Sequence, residues 1–137
     1  MSRARALPPA VPVSALALLA PALAIGGCGT QTVRTERPAL RLTLDEYRIV
    51  PQDVSVRPGR LKIIVHNAGR LTHNLIVQIP PQDPDDKAVE LGRVDTAQPG
   101  ESPDPIKLTL RPGRYRMVCS IANHDDLGQY GTLTVKR

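Results

Sequence analysis

The sequence predicts an all-β sandwich, and three observations carry that reading. Apolar and polar residues alternate with period two in short runs after residue 39, Pro-Gly and Asn-Ala-Gly turns separate the runs, and no stretch keeps helical spacing. The chain has 137 residues, the length of one ordinary domain, which excludes a multidomain enzyme. With three Tyr and neither Phe nor Trp, its core must be aliphatic, and a base-stacking nucleic-acid platform is excluded.

Taken in order, Leu40, Leu42 and Leu44 share one face, with Arg41 and Thr43 on the other. Leu61, Ile63 and Val65 alternate with Lys62, Ile64 and His66, which makes His66 an outward residue. Leu75 and Val77 alternate with Ile76 and Gln78. Ile106, Leu108 and Leu110 alternate with Lys107 and Thr109. Tyr115, Met117 and Cys119 alternate with Arg116, Val118 and Ser120, so Met117 is expected in the core, and Tyr115 and Tyr130 are read as packing residues. Leu133 and Val135 close the chain. The turns are Arg57-Pro58-Gly59, Asn67-Ala68-Gly69, Gln98-Pro99-Gly100 and Arg111-Pro112-Gly113. Residues 78–105 hold six Pro and many acids, which predicts a long connection with one strand near Val89–Val94. Residues 83–90 (DPDDKAVE) are compatible with a short helical turn.

The N-terminus is an address rather than part of the fold. Arg3 and Arg5 precede an uncharged apolar run from about Val11 to Ile25, interrupted by Pro12 and Pro21 and ending in small residues. This is the pattern of a secretory signal over 1–27. The ending Ile25-Gly26-Gly27-Cys28 resembles the bacterial lipobox, which implies cleavage before Cys28 and lipidation of its thiol. The expectation is therefore an exported lipoprotein, held in the periplasm or on the outer face of the cytoplasmic membrane. Residues 28–39 read as a flexible tether and 40–137 as the folded domain.

The full chain carries 18 Lys+Arg against 13 Asp+Glu. Without 1–27 it keeps 16 against 13, a formal +3, and the cations are scattered without a block. That is a solvated surface, and no nucleic-acid partner is expected. With Cys28 lipidated, Cys119 stands alone in an oxidising compartment, where a lone thiol is either buried and inert or held by a metal.

The chemistry concentrates near the C-terminus. Cys119 ends an alternating strand, His124 follows five residues on, Gln129 five further, and the last strand begins near Gly131. A loop that turns back at one end of a sandwich can bring these side chains to one point. His73, at the start of the Leu75–Val77 strand, can add a second imidazole.

These residues resemble the cupredoxin, or blue copper, family. Its signature is Cys, four residues, His, four residues, Met, then a Gly-x-Leu-x-Val strand, with an upstream His-Asn pair; here the positions are Cys119, His124, Gln129 and His73-Asn74. The approach Gly113-Arg-Tyr115-Arg-Met117-Val-Cys119 is similar to the family's Gly-x-Tyr-x-Phe-x-Cys, and Val54–Asn67 is similar to its early strands. The resemblance covers about residues 40–137. It implies a Greek-key sandwich, one copper ion, and metal ligands His73, Cys119, His124 and an axial Gln129. It assigns Asn74 to tie the two ligand-bearing loops together. Two positions depart from the pattern. Gln129 replaces the axial Met, as in the stellacyanins, and Ala122-Asn123 replaces Pro-Gly before the loop His, where Asn123 tolerates the left-handed conformation.

The resemblance implies electron transfer rather than enzymatic activity, with electrons leaving at the His124 edge. Asp125 and Asp126 beside it imply a basic or polar redox partner, and the protein is expected to be a monomer. A copper-holding or copper-delivery lipoprotein and a metal-free interaction module on the same fold are the alternatives. Zinc on His73, Cys119 and His124 fits the axial amide less well. A Cys119 hydrolase lacks a third orienting group. His-x-His pairs for a multicopper oxidase and a second loop cysteine for a dinuclear copper centre are missing.

Overall fold

Each alternating run becomes a strand whose apolar row turns inward, and ten strands form two facing sheets in a computed structural model that describes residues 32–35 and 39–137. They are β1 (Thr32–Thr35), β2 (Ala39–Asp45), β3 (Arg48–Val50), β4 (Asp53–Val56), β5 (Gly59–Asn67), β6 (His73–Ile79), β7 (Val89–Ala97), β8 (Ile106–Leu110), β9 (Gly113–Val118) and β10 (Tyr130–Val135). One sheet has the order β1-β4-β10-β9-β6-β7, the other β3-β2-β5-β8. β2 runs parallel to β5, and β4 parallel to both β10 and β1; the other pairs are antiparallel.

The core between the sheets is aliphatic, as the shortage of aromatics requires. Leu40, Leu42 and Leu44 meet Leu61, Ile63 and Val65, and across the gap lie Leu75, Val77, Met117, Leu133 and Val135. Met117 is fully buried, and Tyr115 donates its hydroxyl to the Arg111 carbonyl at 2.8 Å. Tyr130 is instead exposed, with the Arg116 guanidinium 5.1 Å above its ring. His66 faces outward as its parity predicts, with Nδ1 3.0 Å from Ser102 Oγ. Gly131 must be glycine, since a Cβ there would collide with the Gln52 carbonyl and sit 3.1 Å from Met117 Cε.

Two segments differ from the sequence expectation. Residues 83–90 form no helix: one turn closes with the Asp86 N–H on the Asp83 carbonyl at 3.1 Å, and β7 starts at Val89. Pro84 suits a turn, and the segment has no apolar stripe to bury as a helix. β1 lies inside the stretch read as a tether. Its backbone pairs with the open edge of β4, Thr32 opposite Asp53 through Thr35 opposite Val56, which needs no alternating apolar row. Residues 1–27 and the lipidation candidate Cys28 lie outside the described residues. Among the described residues, no helix is long and apolar enough to cross a membrane.

Candidate metal centre

Three of the four candidate ligands stand where the inward rows of adjacent strands run out. In β6 the row is Val77, Leu75, then His73; in β9 it is Tyr115, Met117, then Cys119 just past the strand; in β10 it is Val135, Leu133, Gly131, then Gln129 just before it. β10, β9 and β6 are neighbours in the sheet, so the three side chains arrive at one pole. The Cys119–Gln129 loop closes on itself. The Cys119 N–H donates to the Gln129 carbonyl at 3.1 Å, and the Gln129 N–H donates to the His124 carbonyl at 2.9 Å. That closure brings His124 back over the pole.

His73, Cys119 and His124 form one buried cluster, with one prospective ligand atom from each lying within 4.8 Å of the others. Cys119 Sγ is 3.6 Å from His124 Nδ1. Metal–nitrogen and metal–sulfur bonds of about 2.0 and 2.3 Å, the lengths zinc takes, would set such atoms about 3.7 Å apart at a trigonal angle. The two imidazole rings meet edge to face with centroids 5.1 Å apart. His73, Cys119 and Gln129 are fully buried, and His124 is 8% exposed.

The site also has buried polar atoms without partners. Among the described residues, His73 Nδ1 and Gln129 Oε1 are the buried side-chain polar atoms that have no hydrogen-bond partner. Leaving such atoms unpaired in a dry interior costs about 1–3 kcal/mol each. The orientation of both groups is set by what they do bond. Gln129 Nε2 donates to the Asp45 carbonyl at 3.1 Å and lies 3.5 Å from the Arg48 carbonyl, so the amide nitrogen faces the β2–β3 turn and its oxygen is left over. His73 Nε2 lies 3.3 Å from Glu46 Oε1, which leaves Nδ1. Two imidazoles and a cysteine sulfur are a donor set that fits copper.

Asn74 bridges the two loops that carry candidate ligands. Its Oδ1 accepts the Ser120 N–H at 2.8 Å and its Nδ2 donates to Ser120 Oγ at 3.0 Å, tying the residue after His73 to the residue after Cys119. The left-handed non-glycine residue in the Cys119–Gln129 loop is Ala122, at φ 49°, and not Asn123. The tolerance that the sequence reading assigned to Asn123 is therefore not used.

The two-residue turn between β2 and β3 was not legible as part of the site. Glu46 Oε1 accepts the Arg70 N–H at 2.7 Å and the Leu71 N–H at 2.8 Å, besides facing His73. The Leu71 N–H above all, then the Arg70 N–H and His73, hold its carboxyl at about 2, below the usual 4.5. Tyr47 lies edge to face on His124 at 5.1 Å. Asn67 is a second residue the sequence did not flag. It is fully buried, its Nδ2 donates to the Leu71 and Ala97 carbonyls at 2.8 and 2.9 Å, and its Oδ1 accepts the Gly69 N–H at 2.9 Å. Its parity with Leu61, Ile63 and Val65 was the available signal, because an inward Asn must find partners.

No protein-family model matches this chain, and comparison with curated proteins finds no match. Solved structures do match. The dithionite-reduced auracyanin of the photosynthetic bacterium Roseiflexus castenholzii aligns with a TM-score of 0.64 at 18% identity, over 74% of this chain and 98% of that one. Auracyanin A, a "blue" copper protein of the green thermophilic photosynthetic bacterium Chloroflexus aurantiacus, aligns at 0.62 and 18% identity, over 77% of this chain and 100% of that one. Auracyanin B aligns at 0.59 and 19%, over 72% and 88%. The protein thus has the all-β cupredoxin fold, with a buried His-Cys-His cluster at one pole of its sandwich.

Proposed function

We propose that this protein is an electron carrier that holds one copper ion of the blue type, and not an enzyme. One observation carries the reading: a cysteine sulfur and two imidazoles converge, buried, and His73 Nδ1 and Gln129 Oε1 have no hydrogen-bond partner. His73, Cys119 and His124 would hold the ion, with Gln129 Oε1 as a fourth donor. Bound there, copper would take up and release a single electron.

The chain's part is to keep the ligands still. The Asn74–Ser120 pair and the Cys119–Gln129 backbone bond link the loops that carry them, so little has to move when the charge changes. The fully buried His73 and Cys119 keep water off the site, which favours holding a metal for electron transfer over releasing it to a recipient. Gln129 offers a harder donor than a thioether and should favour the oxidised ion. His124, slightly exposed at the pole, is the exit for the electron. A basic or polar redox partner docks there against Asp125 and Asp126; Asp126 is exposed, while Asp125 lies 3.9 Å from Arg116. The signal-like segment 1–27 and Cys28 support export of a monomer as a lipoprotein, anchored on the outer face of the cytoplasmic membrane or in the periplasm.

The test is titration with Cu(II), read by visible absorption and electron paramagnetic resonance. One equivalent should turn the solution blue through an intense thiolate-to-copper band, and Cys119→Ser should abolish it. A colourless protein with unchanged spectra would sink the reading. Gln129→Met should raise the reduction potential; an unchanged potential removes Gln129 from the coordination sphere. Mass spectrometry of the membrane-extracted protein should find lipid on Cys28, and an unmodified thiol would contradict anchoring.

A further inference from the structure

Glu46 belongs to no ligand set, yet it is the carboxylate that reaches His73. It comes from the opposite sheet, at the tip of the β2–β3 turn. Its Oε1 is fixed before it meets the imidazole, because the Arg70 and Leu71 N–H groups bind it at 2.7 and 2.8 Å. Gly69 leaves the space it occupies: a Cβ on Gly69 would collide with Glu46 Oε1. His73 is itself fully buried, with Nε2 3.3 Å from that oxygen and Nδ1 unpartnered.

An ionised carboxylate only accepts hydrogen bonds, so the nitrogen facing it must carry the proton. A neutral imidazole has one N–H, which leaves the other nitrogen as a lone pair. We propose that Glu46 is a positioning residue of the metal centre, holding His73 as its Nε2–H tautomer so that Nδ1 presents its lone pair to the ligand cluster, and setting a negative charge behind that ligand. The inference rests on the copper reading for its redox half. A carboxylate behind a ligating histidine raises the basicity of the ligand. The added negative charge stabilises the more positive state of the ion, so Glu46 lowers the reduction potential.

The test has a part that needs no metal. Nitrogen-15 NMR of the metal-free protein should show His73 protonated at Nε2 and bare at Nδ1. Observation of the Nδ1–H form would overturn the proposal. Gly69→Ala, which displaces the carboxylate without removing its charge from the chain, should populate both tautomers; a purely Nε2–H His73 in that variant contradicts Glu46 as the cause. In the copper-loaded protein, Glu46→Gln keeps an acceptor oxygen but removes the charge. It should keep the blue band and raise the potential. An unchanged potential, even with a lowered melting temperature, would mean that Glu46 only staples the 69–71 loop. Failure of the unaltered protein to bind copper would defeat the copper reading and be seen separately, because the tautomer is read without copper.

Discussion

The sandwich interior and the pole that holds His73 are equally dry, yet different forces hold them. The interior is built of Leu, Ile, Val and one Met, and Tyr115, at its margin, is the one residue of the cluster with a polar atom, which it spends on the Arg111 carbonyl. The pole collects Asn67, His73, Asn74, His124 and Gln129, five of the six buried polar residues among the described ones. The first region is stabilised by area removed from water and by close packing, which are non-directional. The second is stabilised by directed hydrogen bonds, and two of its atoms find none. Between the two regions runs a boundary from packing to ligand placement. Along β9 the boundary falls between Met117, which fills the core, and Cys119, which faces the histidines.

Leu75→Ala empties a fully buried position two residues from His73 and should cost about 2–5 kcal/mol in urea unfolding of the metal-free protein. A loss under about 1 kcal/mol would show that the interior is not the main source of stability. At the pole, Asn67→Ala strands the Leu71 and Ala97 carbonyls and the Gly69 N–H, and should cost about 3 kcal/mol in the same assay. An effect near zero would mean that these groups are re-solvated and the pole is not dry.

A third prediction concerns pH. The Glu46 carboxyl is held at about 2 in the fold against 4.5 ordinarily, so its stabilisation is complete above about 4.5, fades below that, and is gone below about 2. Unfolding of the metal-free protein from pH 6 to pH 2 should show a loss that Glu46→Gln lacks. Equal pH slopes would contradict the loop contact. The smallest effect is expected at Ala122, whose φ of 49° is costly for a residue with a Cβ. Ala122→Gly should gain about 1 kcal/mol, read as a rise in melting temperature, and a fall would mean that the loop is not strained there.

Much of this was legible in the residues. Parity alone placed Met117 inside, His66 outside, and Cys119 at the end of an inward row. The spacing of His124 and Gln129 after Cys119 marked the loop that closes over the pole. What stayed hidden was what reaches across from the other sheet. β3 is only three residues long, and the Glu46-Tyr47 turn lacks the Gly, Asn or Asp that usually announces a hairpin. Nothing local says that such a turn meets His73, His124 and Gln129, because contacts between residues 27 or more positions apart follow from sheet stacking. β1 was missed for a related reason: an edge strand pairs by backbone and leaves no apolar row to read.

The most direct measurement is X-ray absorption at the copper edge on the copper-loaded protein. The structure predicts one short sulfur neighbour and two imidazole nitrogens around each ion, with the sulfur lost in Cys119→Ser. A shell of oxygen and nitrogen alone, the same in both proteins, would place the ion elsewhere and contradict the account.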